Sequence, residues 1–364
     1  MNEMNKNNLK TQLANWFGRK TTNSAVRRVG ELPLAIGSDI GVQRKENQDR
    51  VAVLRMELGS RHSFTVAALC DGMGGMIDGT VCATQAMAVF FEACIRYREL
   101  PPATRLNRAA QDANRAVYTL HQGGGGATLS AVLFDSKSNA IGINVGDSRI
   151  YAYQDNIFEQ LTVDDTLLGL LPNKKDGFKH RNELLQYVGM GEGLEPHIIL
   201  IPESSESIFL TSDGVHFINK QTMQMVIQAS SDSAIAVRRL IEVAKWCGGH
   251  DNASVIAFRP LPAPPALLHE PGIIQVWDPF GELQIISAET INERAEINTS
   301  LIKKPAVQKA ADGILHPTKL LRPRKQTKKK ATEKVPQIDD KETLQRPQLN
   351  IYFNGDAGKD GRHD

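Results

Sequence analysis

Between about residue 33 and residue 260, strand-like runs that break at aspartate and glycine turns are interleaved with long helical stretches. That interleaving restricts the chain to a layered α+β body. The runs FTVAALC (64–70), ATLSAVLFD (127–135), AIGINV (140–145), SIFLTS (207–212) and SVIAF (254–258) are rich in apolar, β-branched and aromatic residues. Such residues suit a pleated, covered surface. IYAYQ and IFEQLT flank Asp155-Asn156, and a two-residue connection of that type predicts a hairpin. Helices are expected over 79–97, where Val81, Ala86, Val89, Phe90 and Ala93 share a face, and over 104–120 and 232–247. Hairpins beside long helices argue for mostly antiparallel sheet rather than repeated βαβ crossovers.

The flanks differ from this body. In residues 1–30, Leu9, Leu13, Trp16 and Phe17 recur at helical spacing among Lys6, Lys10, Arg19 and Lys20. This predicts a short basic amphipathic helix or arm whose apolar face packs on a neighbouring surface, with a membrane or partner contact as the alternative. The body is expected over 31–260. It ends at RPLPAPPALLHEPG, whose five prolines stop regular structure. Within 261–317, IIQVWDPFGELQIIS (273–287) reads as a strand pair around a Pro-Phe-Gly turn, docked on the body or pairing with a partner. Residues 318–364 read as a basic, disordered tail carrying one strand-like segment, LNIYF. Eight basic residues against one acidic residue in 318–334 fit contact with an acidic partner.

Lys+Arg 43 against Asp+Glu 41 leaves a formal charge of +2, so no global polyelectrolyte character points to nucleic acid. No apolar run reaches the length of a membrane span, and the polar start lacks a signal-peptide core. Cys70, Cys82, Cys94 and Cys247 form no CxxC pair and read as reduced thiols, which fits a cytoplasmic protein.

Four acidic turns carry the chemistry: Asn47-Gln48-Asp49, Asp71-Gly72-Met73-Gly74-Gly75, Ser212-Asp213-Gly214 and His250-Asp251-Asn252. Any one of them alone is first a turn signal. Each, however, adjoins a strand-like run, where a loop can aim a side chain into a shared pocket. Carboxylates converging at strand ends repel one another unless a cation lies between them. Hard oxygen donors favour Mg²⁺ or Mn²⁺, and no His/Cys set has zinc spacing. The glycine run 123–126 lacks a following GK[ST] and reads as a turn. Ser212 lacks a G-x-S-x-G elbow, which leaves a Ser–His–Asp hydrolase unsupported.

In this order the motifs resemble the PP2C-like (PPM) metal-dependent serine/threonine protein phosphatases, bacterial branch. RxxNQD spans Arg44 to Asp49, DGMGG Asp71 to Gly75, GATLSAVL Gly126 to Leu133, GDSR Gly146 to Arg149, SDGV Ser212 to Val215 and DNAS Asp251 to Ser254. LTVDDT stands in the LTxDHS position, and the likeness runs from Gly37 to Phe258. The resemblance implies a four-layer αββα sandwich of two mostly antiparallel sheets holding two Mn²⁺ or Mg²⁺ at one end. A bridging water would attack the phosphoryl group of phosphoserine or phosphothreonine directly. By that likeness, Asp71 would bridge both metals, the Gly72 carbonyl would complete one, and Asp213 with Asp251 would hold the other. Asp49 would be an outer ligand or act through water, Arg44 would bind phosphate, and Asp147 would hold a third, weaker metal. The partners implied are phosphorylated proteins and a cognate Ser/Thr kinase or its substrates.

Departures from the pattern are Gln48 for a glutamate, Met73 and Met76 for histidines, and Asp165 for the histidine of LTxDHS. By that likeness neither Met76 nor Asp165 stands at a direct ligand position, whereas Gln48 removes one charge near the metals, although its amide could still accept from metal-bound water. The segment Leu167 to Glu192, with Lys174, Lys175 and Lys179, corresponds to the family's variable flap. A catalytically silent phosphoprotein- or kinase-binding module is the alternative, and lost metal ligands would be its mark.

Overall fold

The computed structural model describes residues 3–57, 63–73, 78–135, 140–170, 183–258 and 273–286. Its centre is a pair of facing sheets. The first runs β1 (Ser24–Arg28), β2 (Leu34–Asp39), β11 (Ala253–Phe258), β10 (Ser207–Thr211), β7 (Arg149–Gln154), β8 (Ile157–Gln160) from edge to edge. The second runs β13 (Gly281–Ile286), β12 (Ile273–Asp278), β3 (Arg50–Glu57), β4 (Phe64–Cys70), β5 (Leu129–Asp135), β6 (Ile141–Val145), β9 (His197–Leu200). Every neighbouring pair is antiparallel.

The strand sequences show why two sheets stack and both outer faces are covered. In β3, Val51 and Val53 enter the layer between the sheets, while Ala52, Leu54 and Met56 face the helical side. The next strand repeats this, with Ala67 and Leu69 inward and Val66, Ala68 and Cys70 outward. A strand covered on both sides reads as a continuous apolar run rather than as an alternation. The inter-sheet layer is closed by Ile36, Ile150, Leu210 and Phe258, and Phe134 meets Phe258 edge-on at 4.8 Å.

Helices α2 (Gly79–Arg96) and α3 (Pro102–His121) cover the second sheet. The short turns α4 (Leu167–Leu170) and α5 (Asp213–His216) lie in loops, and α6 (Lys220–Gln228) and α7 (Ser233–Trp246) cover the first sheet. Asp232 caps α7, accepting from the amides of Ala234 (2.8 Å) and Ile235 (3.1 Å). The layers are therefore helix, sheet, sheet, helix. On α2, Val81 is 43% exposed and lies off the buried face that Ala86, Phe90 and Ala93 share. Asp155 and Asn156 both take positive φ (49° and 63°), as a tight hairpin turn between twisted strands demands.

The amphipathic N-terminal segment is α1 (Glu3–Phe17), laid on α2. Leu9, Leu13 and Phe17 are buried there, and the Phe17 ring meets Phe91 edge-on at 5.9 Å. Each such side chain contributes about 2 kcal/mol of burial. The strand pair around Pro279-Phe280 docks on the body, with β12 beside β3. Among the described residues no helix is long and apolar enough to cross a membrane, and all four cysteines are free thiols. The proline-rich run, the basic 318–334 segment, LNIYF and the lysines of the flap lie outside the described residues.

Candidate metal and phosphate site

Strand register brings the acidic turns together. Arg50 pairs with Cys70, so Asp49 just before β3 and Asp71 just after β4 lie at the same end of the second sheet. In the first sheet Thr211 pairs with both Arg149 and Val255. This gathers Asp147, Asp213 and Asp251, which flank β7, β10 and β11, at one end as well. Their charges act on one another across the two sheets. Asp71 is influenced by Asp49, Asp213, Asp147 and Asp251.

The backbone around these carboxylates is tightly held. The Asp71 amide donates to Thr128 Oγ1 (2.9 Å), the Thr128 amide donates back to the Asp71 carbonyl (2.8 Å), and the Thr128 and Ser148 hydroxyls share a hydrogen bond of 2.6 Å. Asn252 is the organiser opposite. Its Oδ1 accepts from the Gln48 amide (2.8 Å), and its Nδ2 donates to the carbonyls of Ile40 (2.9 Å) and Glu46 (3.0 Å). Ser212 Oγ donates to Asp49 Oδ2 (2.9 Å) and accepts from the Ser254 amide (2.9 Å). The DNAS and SDGV motifs mark Asn252 and Ser212 in the sequence, but their organising roles emerge only from the fold. Gly72 is enforced by contact: a Cβ there would stand 2.3 Å from the Gly79 carbonyl oxygen.

The electrostatics are those of an acid cluster in which carboxylates outnumber the one arginine, Arg44, that pairs with them among the described residues. Burial raises the Asp71 carboxyl well above the usual range, and the neighbouring aspartates add to it. Burial, then Asp251, raises Asp213, which accepts a hydrogen bond from Asp71. Burial is also the leading cause at Asp49, pushed up to about 7, and at Asp147, pushed up to about 7 with help from Asp213 and Asp164. The buried Oδ1 of Asp49 has no hydrogen-bond partner. Arg44 pairs with Asp251, and its guanidinium is further stabilised by Asp213 and Asp71.

These residues fit a hard divalent cation. Among the described residues no three His, Cys, Asp or Glu side chains close into a ready-made chelate. Carboxylate pairs, the Gly72 carbonyl and water suit Mg²⁺ and Mn²⁺ well, because Mg²⁺ keeps several waters and takes one or two direct carboxylates. The orphaned Asp49 oxygen and the raised Asp71 and Asp213 carboxyls mark where positive charge is wanted.

No family model matches the chain. Over 237 residues it is 27% identical to the serine/threonine phosphatase Stp of Listeria monocytogenes, covering 60% of this chain and 92% of that protein. Among solved structures it is similar to the PPM Ser-Thr phosphatase MsPP from Mycobacterium smegmatis in complex with cacodylate. That likeness has a TM-score of 0.52 and 27% identity, and it covers 62% of this chain and 97% of that one. In fold and in sequence the chain is similar to the PP2C-like (PPM) phosphatases. It is also similar to the catalytic domain of the phosphatase PstP in complex with two manganese ions, with a TM-score of 0.50 and 28% identity over 64% of this chain and 97% of that one.

Where the chain departs from the PPM pattern, neighbouring contacts compensate. Gln48 keeps its backbone role, its carbonyl accepting from the Gly72 amide (3.3 Å). Asp165 accepts from the Gly146 amide (2.8 Å) through one oxygen and faces His197 Nε2 (2.8 Å) and Gln186 Nε2 (3.2 Å) through the other. It thus anchors the turn that carries Asp147. The Met73 amide donates to the Gly126 carbonyl (3.1 Å). Gly74, Gly75 and Met76 lie outside the described residues.

Proposed function

We propose that this protein is a metal-dependent phosphoprotein phosphatase that hydrolyses phosphoserine and phosphothreonine using the acid cluster around Asp71. The observation that carries this reading is the meeting of Asp49, Asp71, Asp213 and Asp251 with Arg44 at one end of the sandwich. Asp71 and the Gly72 carbonyl, with Asp213 and Asp251, would hold two Mn²⁺ or Mg²⁺, with Asp49 behind them and Asp147 at a third, weaker position. When bound, the cations lower the pKa of coordinated water and neutralise charge on the phosphoryl oxygens.

The chain's own residues divide the remaining work. Arg44 supplies a planar fork of donors suited to a phosphate dianion. Its present partner is Asp251. A cation on Asp251 would compete for that carboxylate and release Arg44 toward the phosphate. The Asn252 and Thr128 bonds fix the backbone that carries the carboxylates before substrate arrives, so little reorganisation remains for the reaction. Met73 offers no proton to the leaving alkoxide, which leaves solvent as the source. Every carboxylate that a silent binding module would have lost is present, so nothing here favours that alternative. The substrates would be phosphorylated cytoplasmic proteins, among them a cognate Ser/Thr kinase or its targets.

The test is hydrolysis of a phosphothreonine peptide by the full chain in Mn²⁺ or Mg²⁺, with a chelator arm and Asp71→Ala as controls. Turnover that survives chelation, or no turnover by correctly folded protein, would overturn the reading.

A further inference from the structure

Arg50 directly follows Asp49, and its guanidinium grips the acidic turn from behind. Nη1 donates to the carbonyls of Asn47 (2.9 Å) and Asp49 (2.8 Å), and Nε donates to Thr84 Oγ1 on α2 (3.0 Å). These bonds hold the backbone on both sides of Gln48. A cavity of about 30 Å³ adjoins them, lined in part by Asp49, Arg50, Arg19 and Asp278.

On the cavity's other wall the two segments flanking the Gly37–Phe258 body meet. Arg19, just after α1, forks onto Asp278 at the end of β12 with contacts of 2.6 and 2.8 Å, and it stacks on the Trp16 ring at 3.6 Å. Asp278 is only 5% exposed. A bidentate, stacked arginine on a buried carboxylate is a well-ordered contact rather than a surface pair. Charges therefore alternate through this space: Arg19, Asp278, Arg50, Asp49. Asp278 favours the charged Arg50 guanidinium and Arg19 opposes it.

We propose that Arg50 is a positioning residue for Asp49, and that the Arg19–Asp278 clasp sets Arg50 and, through it, the cation affinity of the acid cluster. The proposal rests on the metal-dependent reading above. Neutralising Asp278 leaves two guanidinium groups facing each other with no negative charge between them. Arg50 then shifts, the carbonyls of Asn47 and Asp49 lose their donor, and Asp49 loses its orientation. The segments outside the motif-bearing body thereby act on the catalytic end.

The test uses the full chain with Asp278→Asn, Arg19→Ala and the charge-preserving Asp278→Glu. Mn²⁺ binding is read by calorimetry, and amide hydrogen exchange over residues 47–50 is read in metal-free protein. Asp278→Asn and Arg19→Ala are expected to weaken Mn²⁺ binding about tenfold, as loss of an outer partner of a metal ligand commonly does. Both should also speed exchange at Asp49 and Arg50, while Asp278→Glu stays close to the parent protein. Variants that melt earlier but keep parental Mn²⁺ affinity and parental exchange over 47–50 would overturn the proposal, leaving the clasp a purely structural contact. A parent protein that binds no Mn²⁺ would sink the phosphatase reading instead. The exchange data alone would then decide the clasp, and unchanged exchange would refute it.

Discussion

Asp71 and Asp164 are aspartates of one site region, and the fold treats them in opposite ways. Asp164 receives Arg149 through Nε (2.9 Å) and Nη2 (2.6 Å) and Gln160 Nε2 at 3.1 Å. Among the described residues no arginine pairs with Asp71, and the charges that raise its carboxyl are those of other aspartates. A chain that can neutralise one carboxylate with a forked guanidinium could neutralise the other in the same way. Leaving Asp49, Asp71, Asp147 and Asp213 under-compensated costs stability, and on the proposed reading a bound cation would recover that cost. On the proposed reading, the difference would separate carboxylates that hold the fold from those that hold a ligand.

The comparison is broken most severely at Asp71. Asp71→Ala is expected to lower phosphopeptide hydrolysis about 10³-fold, the scale of losing several kcal/mol of metal-dependent stabilisation. The same substitution should leave the metal-free melting temperature unchanged or raised, because it removes mutual repulsion. A variant that loses activity only by unfolding would erase the distinction between the two kinds of aspartate.

The acid cluster also predicts an unusual pH profile. Asp49 and Asp147 are each raised to about 7, whereas the unfolded chain releases these protons near the ordinary aspartate value. Between about pH 4 and pH 7 the native state therefore binds more protons than the unfolded state, and stability falls as pH rises. The slope is at most about 1.4 kcal/mol per pH unit for each group, and less for the partly solvated Asp147. Urea unfolding of metal-free protein should show this decline, and Mn²⁺ should flatten it. Stability that rises over the same window would mean that the cluster is already compensated.

At Asp164 the expected signs reverse. Asp164→Ala leaves Arg149 without its forked partner, and the pair is 25% and 15% exposed. A loss of about 2 kcal/mol in urea unfolding follows, below the cost of breaking a fully buried pair because solvent screens part of it. Mn²⁺ affinity should change little. A large loss of Mn²⁺ binding with parental stability would place Asp164 among the ligand-holding carboxylates.

Much of this contrast was legible in the sequence, though unevenly. The runs 64–70 and 254–258 announced their strands because each is apolar but for one hydroxyl residue, and Asp155-Asn156 announced its turn. RVAVLRME gave no comparable signal, because Arg50, Arg55 and Glu57 interrupt its apolar run, and only the sheet neighbours make it β3. The motifs named the carboxylates, but spacing along a chain carries no register. It could not show that Arg44 pairs with Asp251 rather than with nearby Glu46 or Asp49. Nor could it join Arg19 to Asp278, which stand 259 positions apart. The buried hydroxyls were the least visible, since serine beside aspartate is ordinary turn chemistry.

Ser212 offers the finest test of the contrast, because its hydroxyl is a neutral donor on the Asp49 carboxylate. Its hydroxyl donates to Asp49 Oδ2 and is itself fully buried, receiving the Ser254 amide. Ser254 in turn bonds Ser38 Oγ (2.9 Å), which accepts from Asn47 Nδ2 (2.8 Å) and so returns to the same turn. Ser212→Ala removes one hydrogen bond to a charged group and leaves the Ser254 amide unpaired, a cost of about 2 kcal/mol in metal-free protein. Unlike Asp71→Ala, it should leave kcat measurable and raise the Mn²⁺ concentration needed for half-maximal activity by a few-fold, because Asp49 is loosened rather than lost. Activity and Mn²⁺ dependence equal to the parent's would show that the hydroxyl network supports the fold alone and that Asp49 is oriented from the Arg50 side.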